Sequence, residues 1–159
     1  METRAGLDRI NELGQRDHFL AVVVTQRRSG EPAATVVNAG VLDHPVTGEP
    51  VVAFVARGRT AKLAHLRRTP SATLVFRAEW EWIGVSGSVE LAGPDDPLDG
   101  IDAERLRMLL RDIYHAAGGV HPDLEAYDRE MAADRRTAVL IRPEHFTSNP
   151  AGGDHQEDE

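Results

Sequence analysis

The stretch RGRTAKLAHLRRTPSATLVFR, residues 57–77, contains six basic residues and no acidic one. The whole chain has 18 basic and 26 acidic residues and a net charge of −8, so this stretch is a positive segment of an acidic protein. Local positive charge of this kind favours binding of an anion. The alternative is a solvated basic helix without a ligand. The basic residues are Arg57, Arg59, Lys62, Arg67, Arg68 and Arg77, and Lys62 is the only lysine of the sequence.

The local pattern around this segment predicts a strand, a turn and a short helix. The β-branched run at 51–55 indicates a strand that leads in. Gly58 allows a tight turn or a close approach of the backbone to a ligand. Thr60 is placed as the N-cap of a helix that carries two leucines three residues apart and ends before Pro70. The N-terminus of such a helix offers N–H groups and a partial positive charge to a phosphate.

The remainder of the chain predicts a mainly β protein with flanking helices. Several short strands in succession indicate an antiparallel sheet or barrel. Strands are predicted at 19–25, 33–42, 50–56, 71–77, 82–91 and 137–141, and the longer helices at 7–14, 102–116 and 123–134.

Length and composition indicate one domain over residues 1–150 and a disordered acidic tail over 151–159. The chain has no cysteine, which excludes disulfides and thiolate chemistry. No secretory signal or membrane-length apolar run is present in the sequence. We therefore expect a soluble cytoplasmic protein without a membrane partner, and its acidity argues against a nucleic-acid partner.

Two further constellations bear on function. The seven histidines lack the spacing of metal ligands, so no metal site is predicted. Trp80 and Trp82 alternate in EWEWIGVSG, and at strand spacing they would face the same side. They would contact a planar ring or cover a barrel end.

The order of elements resembles the split β-barrel of the pyridoxamine 5′-phosphate oxidase-like superfamily over most of the chain. The resemblance is carried by TAKLAHLRRTPSATLVF at 60–76, by W-x-W-x-x-V-x-G at 80–87 and by AYDREMAADRRTAVLIRPEHF at 126–146. It implies a six-stranded antiparallel split barrel of the α+β class. The motifs are most similar to the branch of oxidoreductases that use the deazaflavin coenzyme F420.

The resemblance also implies a site. The segment 60–65 would hold the cofactor phosphate, with lysine at the position of Lys62, and His65 stands where relatives often have asparagine. The tryptophans would lie near the cofactor and the interface of a homodimer. The full set of predicted cofactor-binding residues is Thr35, Asn38, Arg59, Thr60, Ala61, Lys62, His65, Trp80 and Trp82.

The sequence thus leads to an oxidoreductase that binds coenzyme F420 and transfers hydride to an unsaturated small organic substrate. FMN is the alternative cofactor, since its phosphate would engage the same basic site. A carrier that binds the cofactor without turnover is an alternative of another class, because no proton donor is evident. A haem-binding split barrel is weaker, since no histidine is placed as a convincing axial ligand.

Overall fold

The structure is a computed structural model that describes residues 1–150. The predicted disordered tail, 151–159, lies outside the described residues. The helices are α1 (Thr3–Arg16), α2 (Ala61–Arg68), α3 (Ala103–Ala116) and α4 (Leu124–Ala133). The strands are β1 (Leu20–Gln26), β2 (Pro32–Asp43), β3 (Pro50–Ala56), β4 (Ser71–Ala78), β5 (Glu81–Ala92), β6 (Thr137–Ile141) and β7 (His145–Ser148).

Six strands close into an antiparallel barrel in the order β4-β1-β2-β3-β6-β5, and β5 pairs with β4 to complete the ring. The predicted six-stranded split barrel is therefore confirmed, with element boundaries within a few residues of those expected. The long strands β2 and β5 change barrel neighbours along their length, and β5 pairs in addition with β7. β2 pairs with β1 up to Asn38 and with β3 from Ala39 onward. The barrel therefore divides into two halves at these strands.

The seventh strand was not predicted. β7 has four residues and pairs only with β5, where Phe146 lies opposite Val85. It follows Pro143, at which the sequence pattern of the last predicted strand stops. A strand this short carries too few residues to show an alternation.

Two apolar cores fix the helices around the barrel. Inside the barrel, Phe54 and Phe76 are fully buried together with Leu63 and Leu66 of α2. Burial of each such side chain contributes about 1.5–3 kcal/mol. On the other side of β3 and β6, α3 packs through a second cluster that includes Ile113. Both faces of β3 are covered, which explains why its sequence is a continuous apolar run rather than an alternation of apolar and polar residues.

A glycine sets how closely α3 approaches the sheet. A Cβ at Gly40 of β2 would stand 2.4 Å from the backbone carbon of Ala116. Only the absence of a side chain at this position lets the end of α3 lie directly on β2. That helix end, β2 and the start of α2 border a groove on the surface of the barrel.

Candidate functional site

Three adjoining cavities form one groove along β2. A central chamber of about 380 Å³ shares Thr60 and Lys62 with a basic chamber of about 370 Å³. It shares Asn38, Tyr114 and Ala117 with an outer chamber of about 440 Å³. We call these three chambers together the groove. Its shape suits an elongated ligand better than a compact one.

The groove is lined by four cations and by no carboxylate within the described part of the chain. The cations are Arg27, Arg57, Lys62 and Arg136. Burial lowers the pKa of Lys62 below its ordinary value, and the nearby charge of Arg136 lowers it further. Two cations held close together in a half-buried place are stabilised by a bound anion.

The start of α2 contributes N–H groups to the same place. Thr60 occupies the N-cap position, as predicted, but its side chain makes no capping bond. Its hydroxyl instead donates to the carbonyl of Arg57 at 3.0 Å. The first-turn N–H groups of α2, including those of Ala61 and Lys62, therefore keep no side-chain acceptor and are available to an anion.

The predicted residues Thr35 and His65 both line the basic chamber. His65 Nδ1 lies 2.9 Å from the hydroxyl of Thr25 in a hydrogen bond that fixes the imidazole ring. Six of the nine predicted residues line the groove, namely Thr35, Asn38, Thr60, Ala61, Lys62 and His65.

The remaining basic residues of 57–77 do not form one surface with Lys62. Arg67 makes two hydrogen bonds to Asp96, at 2.8 and 2.7 Å, and Arg68 donates to the carbonyl of Gln26. Arg59 lies outside the lining of the three chambers and takes a positive φ of 62°. The positive segment seen in the sequence is therefore divided, and only its N-terminal part reaches the groove.

Gly58 makes a close approach, although not to a ligand. A Cβ on Gly58 would stand 2.8 Å from the carbonyl oxygen of Arg135. The N–H of Gly58 donates to the carbonyl of Asp134 at 3.0 Å. This contact brings the loop before α2 against the segment before β6. It thereby holds Arg136 near Lys62.

The two tryptophans lie at the β4–β5 connection, away from the groove of the same chain. Trp80 belongs to the turn and is 69% exposed, so it does not share a strand face with Trp82, which is 36% exposed. Asn149 accepts a hydrogen bond from the N–H of Trp82 and donates to the carbonyl of Trp80. Neither ring lines the three chambers.

Sequence reasoning left several groove residues unassigned, among them Tyr114, Tyr127 and Arg136. The rings of Tyr114 and Tyr127 are 4.7 Å apart between centroids. Tyr127 donates its hydroxyl to the carbonyl of Leu110 at 3.0 Å, and burial raises its pKa to about 12. Tyr127 and Arg136 both fall in the segment 126–146, but no spacing within it shows that they meet Lys62.

A fourth cavity lies behind the groove. It has a volume of about 460 Å³ and is bordered by the β5–α3 connection, α3 and α4. Its walls are mostly apolar, and it shares Met131 and Arg136 with the central chamber. We call it the apolar cavity.

The described residues, 1–150, contain neither a cluster of metal-ligating side chains nor a helix of membrane-spanning character. No group of three or more histidine, aspartate or glutamate side chains is placed to hold a metal ion. No helix is both long enough and apolar enough to span a membrane.

Neither a family model nor a curated protein sequence matches the chain. Solved structures do match it. A pyridoxamine 5′-phosphate oxidase-related, FMN-binding protein from Nostoc punctiforme aligns over 93% of this chain and 84% of its own, with a TM-score of 0.64 and 15% identity. An F420 reductase aligns over 83% and 91%, with a TM-score of 0.56 and 14% identity. A heme-binding protein from Mycobacterium smegmatis aligns over 91% and 55%, with a TM-score of 0.58 and 14% identity.

At these identities the likeness concerns the fold. The three alignments cover 83–93% of this chain, so the likeness extends over most of its strands and helices. The chain has the fold of the pyridoxamine 5′-phosphate oxidase-like split-barrel superfamily.

Proposed function

We propose that the groove binds the deazaflavin coenzyme F420 and that the protein is an oxidoreductase that passes hydride to an unsaturated small organic substrate. One observation carries the proposal. On a chain of net charge −8, a long groove is lined by four cations and no carboxylate. An elongated, negatively charged molecule matches both the shape and the charge of this groove.

The donors at the start of α2 suit the phosphate of such a cofactor. Lys62 offers an ammonium group, and the N–H groups of Ala61 and Lys62 lack a side-chain acceptor. Charge-assisted bonds of this type are the strong ones, and a helix N-terminus adds a favourable partial charge. Arg57 and Arg136 add positive charge along the central chamber. The residues present therefore fit an anionic group at this end.

The exposed edge of β2 suits the planar part of the cofactor. Thr35 and Asn38 lie along this strand, and Asn38 donates to the carbonyl of His18 at 2.9 Å, which fixes its amide. The bound deazaflavin would supply the hydride chemistry itself. The chain's own contribution is to orient the ring system, to hold the phosphate and to narrow the access of water.

We further propose that the protein works as a homodimer through the outer face of β1 and β2. Val22 and Val36 are directly paired on this face and are 40% and 63% exposed. Trp82 lies on the same face. Val22 pairs with Val75 of β4, and Val75 pairs with Gly84 of β5. Trp82 stands two residues before Gly84, so its side chain points to the same side of the sheet. An exposed apolar sheet face of this kind is typical of an interface with another protein. A second copy here would explain the exposure of the tryptophans.

FMN is the alternative cofactor, because its phosphate would use the same donors. A carrier without turnover is the alternative activity. Tyr114 lines both the central and outer chambers, and a tyrosine in the lining, as a side chain able to donate a proton, favours the enzyme. Haem is less suited, since of the two described histidines that line the groove, His65 is bonded to Thr25 and His18 lines only the outer chamber.

The test is to incubate the purified protein with F420 or FMN and to pass it through gel filtration. We expect the absorbance of F420 to elute with the protein. Elution with FMN alone would identify a flavoprotein, and elution with neither would refute the proposal. Oxidation of bound reduced F420 by a panel of enones and quinones then separates an enzyme from a carrier.

A further inference from the structure

The apolar cavity is not needed to hold the cofactor, and it has the features of a second binding site. Its volume of about 460 Å³ falls within the range of small-molecule sites, and it is the largest of the cavities described here. Apolar side chains from three segments line it, including Leu98, Leu106, Leu110 and Met131. Burial of an apolar ligand against these groups would be favourable in proportion to its area.

The charged groups of the cavity wall are not equivalent. Arg107 bonds to Glu104 and Asp128, and Asp128 also bonds to Arg111, so this network is internally neutralised. Asp102 accepts the N–H of Arg105 as the N-cap of α3. The ion pairs of this network cancel in charge, and the carboxylate of Asp102 lies at the N-terminal, partially positive end of α3, so none of these groups favours an anionic ligand.

Arg136 differs from them. It shares the single carboxylate of Asp134 with Arg57, at 3.2 and 3.6 Å. Its Nε is buried and has no hydrogen-bond partner among the described residues. Lys62 stands close enough for the charge of Arg136 to lower its pKa. Positive charge therefore exceeds negative charge where the cavity meets the groove.

We propose that the apolar cavity binds a small apolar carboxylic acid, whose carboxylate lies against Arg136 and whose hydrocarbon body fills the space between α3 and α4. The binding itself is independent of the cofactor. A role as hydride acceptor rests on the proposed function and requires an α,β-unsaturated acid, whose β-carbon takes the hydride from the reduced cofactor and whose α-carbon takes a proton from water. Arg136 and Met131 line both the cavity and the central chamber, so such an acid would lie next to the cofactor. The inference thus supplies a class of substrate for the oxidoreductase.

The first experiment measures binding of phenylbutyrate and of its neutral counterpart phenylbutanol by calorimetry. We expect phenylbutyrate to bind at least about tenfold more tightly, the size of one charge-assisted contact. Arg136→Gln should remove this preference. Arg129→Gln, which removes a charge from the exposed face of α4, should keep it. Equal affinity of the two probes for the unchanged protein would overturn the assignment of an acid.

The second experiment blocks the cavity. Ala132 lines it from an exposed position of α4, so Ala132→Trp should abolish phenylbutyrate binding without unfolding the chain. Ala133→Trp places the same side chain on the neighbouring exposed residue, which does not line the cavity, and should bind normally. Unchanged binding by Ala132→Trp would overturn the site.

A cofactor titration of the same variants separates this inference from the proposed function. Ala132 does not line the groove, so Ala132→Trp should still bind F420. If neither F420 nor FMN binds the unchanged protein while phenylbutyrate binds, the oxidoreductase proposal is wrong and the second site stands. If F420 binds and phenylbutyrate does not, the second site is wrong.

Discussion

Lys62→Ala gives the sharpest test of the groove. Lys62 is the only lysine of the chain and is half-buried beside Arg136 at the start of α2. Its removal would take one charge-assisted bond from the phosphate, which corresponds to about 1.5–3 kcal/mol. The affinity for F420 or FMN should therefore fall by about tenfold to a hundredfold.

The fold should tolerate this change. The position of α2 depends on Leu63 and Leu66, which are fully buried in the barrel core, and not on Lys62. Thermal unfolding of the variant should therefore stay close to that of the unchanged protein. A fluorescence titration of the folded variant with each cofactor then measures the change in binding affinity without a contribution from unfolding.

The matched control is Arg68→Ala, on the same helix. Arg68 carries the same charge, is exposed, donates to the carbonyl of Gln26 and does not line the groove. We expect its effect on cofactor affinity to be small. Unchanged titration curves for Lys62→Ala with both cofactors would remove Lys62 from the site. An equal loss of cofactor affinity in both variants would show that these positive charges act at long range and that Lys62 does not contact the phosphate.

Four further outcomes are expected. Cofactor affinity should fall as pH rises through the pKa of Lys62, which burial holds below its ordinary 10.5, because only the protonated ammonium attracts an anion. After methylation of the protein, the one lysine methyl signal in the NMR spectrum measures the titration of Lys62. Val22→Arg should give a monomer by light scattering while Val46→Arg, at another exposed site, leaves a dimer. Gly58→Ala should lower the free energy of unfolding by about 1–3 kcal/mol through overpacking. Cofactor affinity should fall only gently with salt, and duplex DNA should not bind at physiological salt; a steep salt dependence would indicate a nucleic-acid surface.

The barrel could be predicted because its strands carry local signals. The run Val51–Val55 identifies β3, and Thr60, the two leucines and Pro70 bracket α2. Each of these signals lies within a few neighbouring residues. The four-residue strand β7 could not be predicted, because its pairing with β5 depends on tertiary contacts that place it there.

The division of the basic segment was only partly predictable. A helix advances 100° per residue, so the charges of α2 cannot all face the side on which Lys62 lies. The sequence therefore indicates that some of them point away. That Arg67 turns to Asp96 depends on the β5–α3 connection, whose path the sequence pattern does not specify.

Arg136 shows the limit of sequence reasoning most clearly. It is separated from Lys62 by two strands and two helices, and their proximity arises only because β6 pairs with β3. The close approach at Gly58 then brings the two loops together. Contacts between distant segments of this kind follow from the topology, and no periodicity of the sequence reveals them.

The charge distribution has a consequence for the kind of anion that the groove selects. Several arginines outside the groove are paired one to one with a carboxylate, as in Arg67 with Asp96 and Arg135 with Asp95, whereas Arg57 and Arg136 share one carboxylate beside Lys62. The net charge of the protein is negative, so a long polyanion would meet a repulsive surface before it reached the cations that line the groove. A small anion meets only the groove, and its few half-buried contacts are weakly screened because water is partly excluded. The groove cations would thus favour the proposed phosphate-bearing cofactor, while the negative surface around them disfavours a nucleic acid.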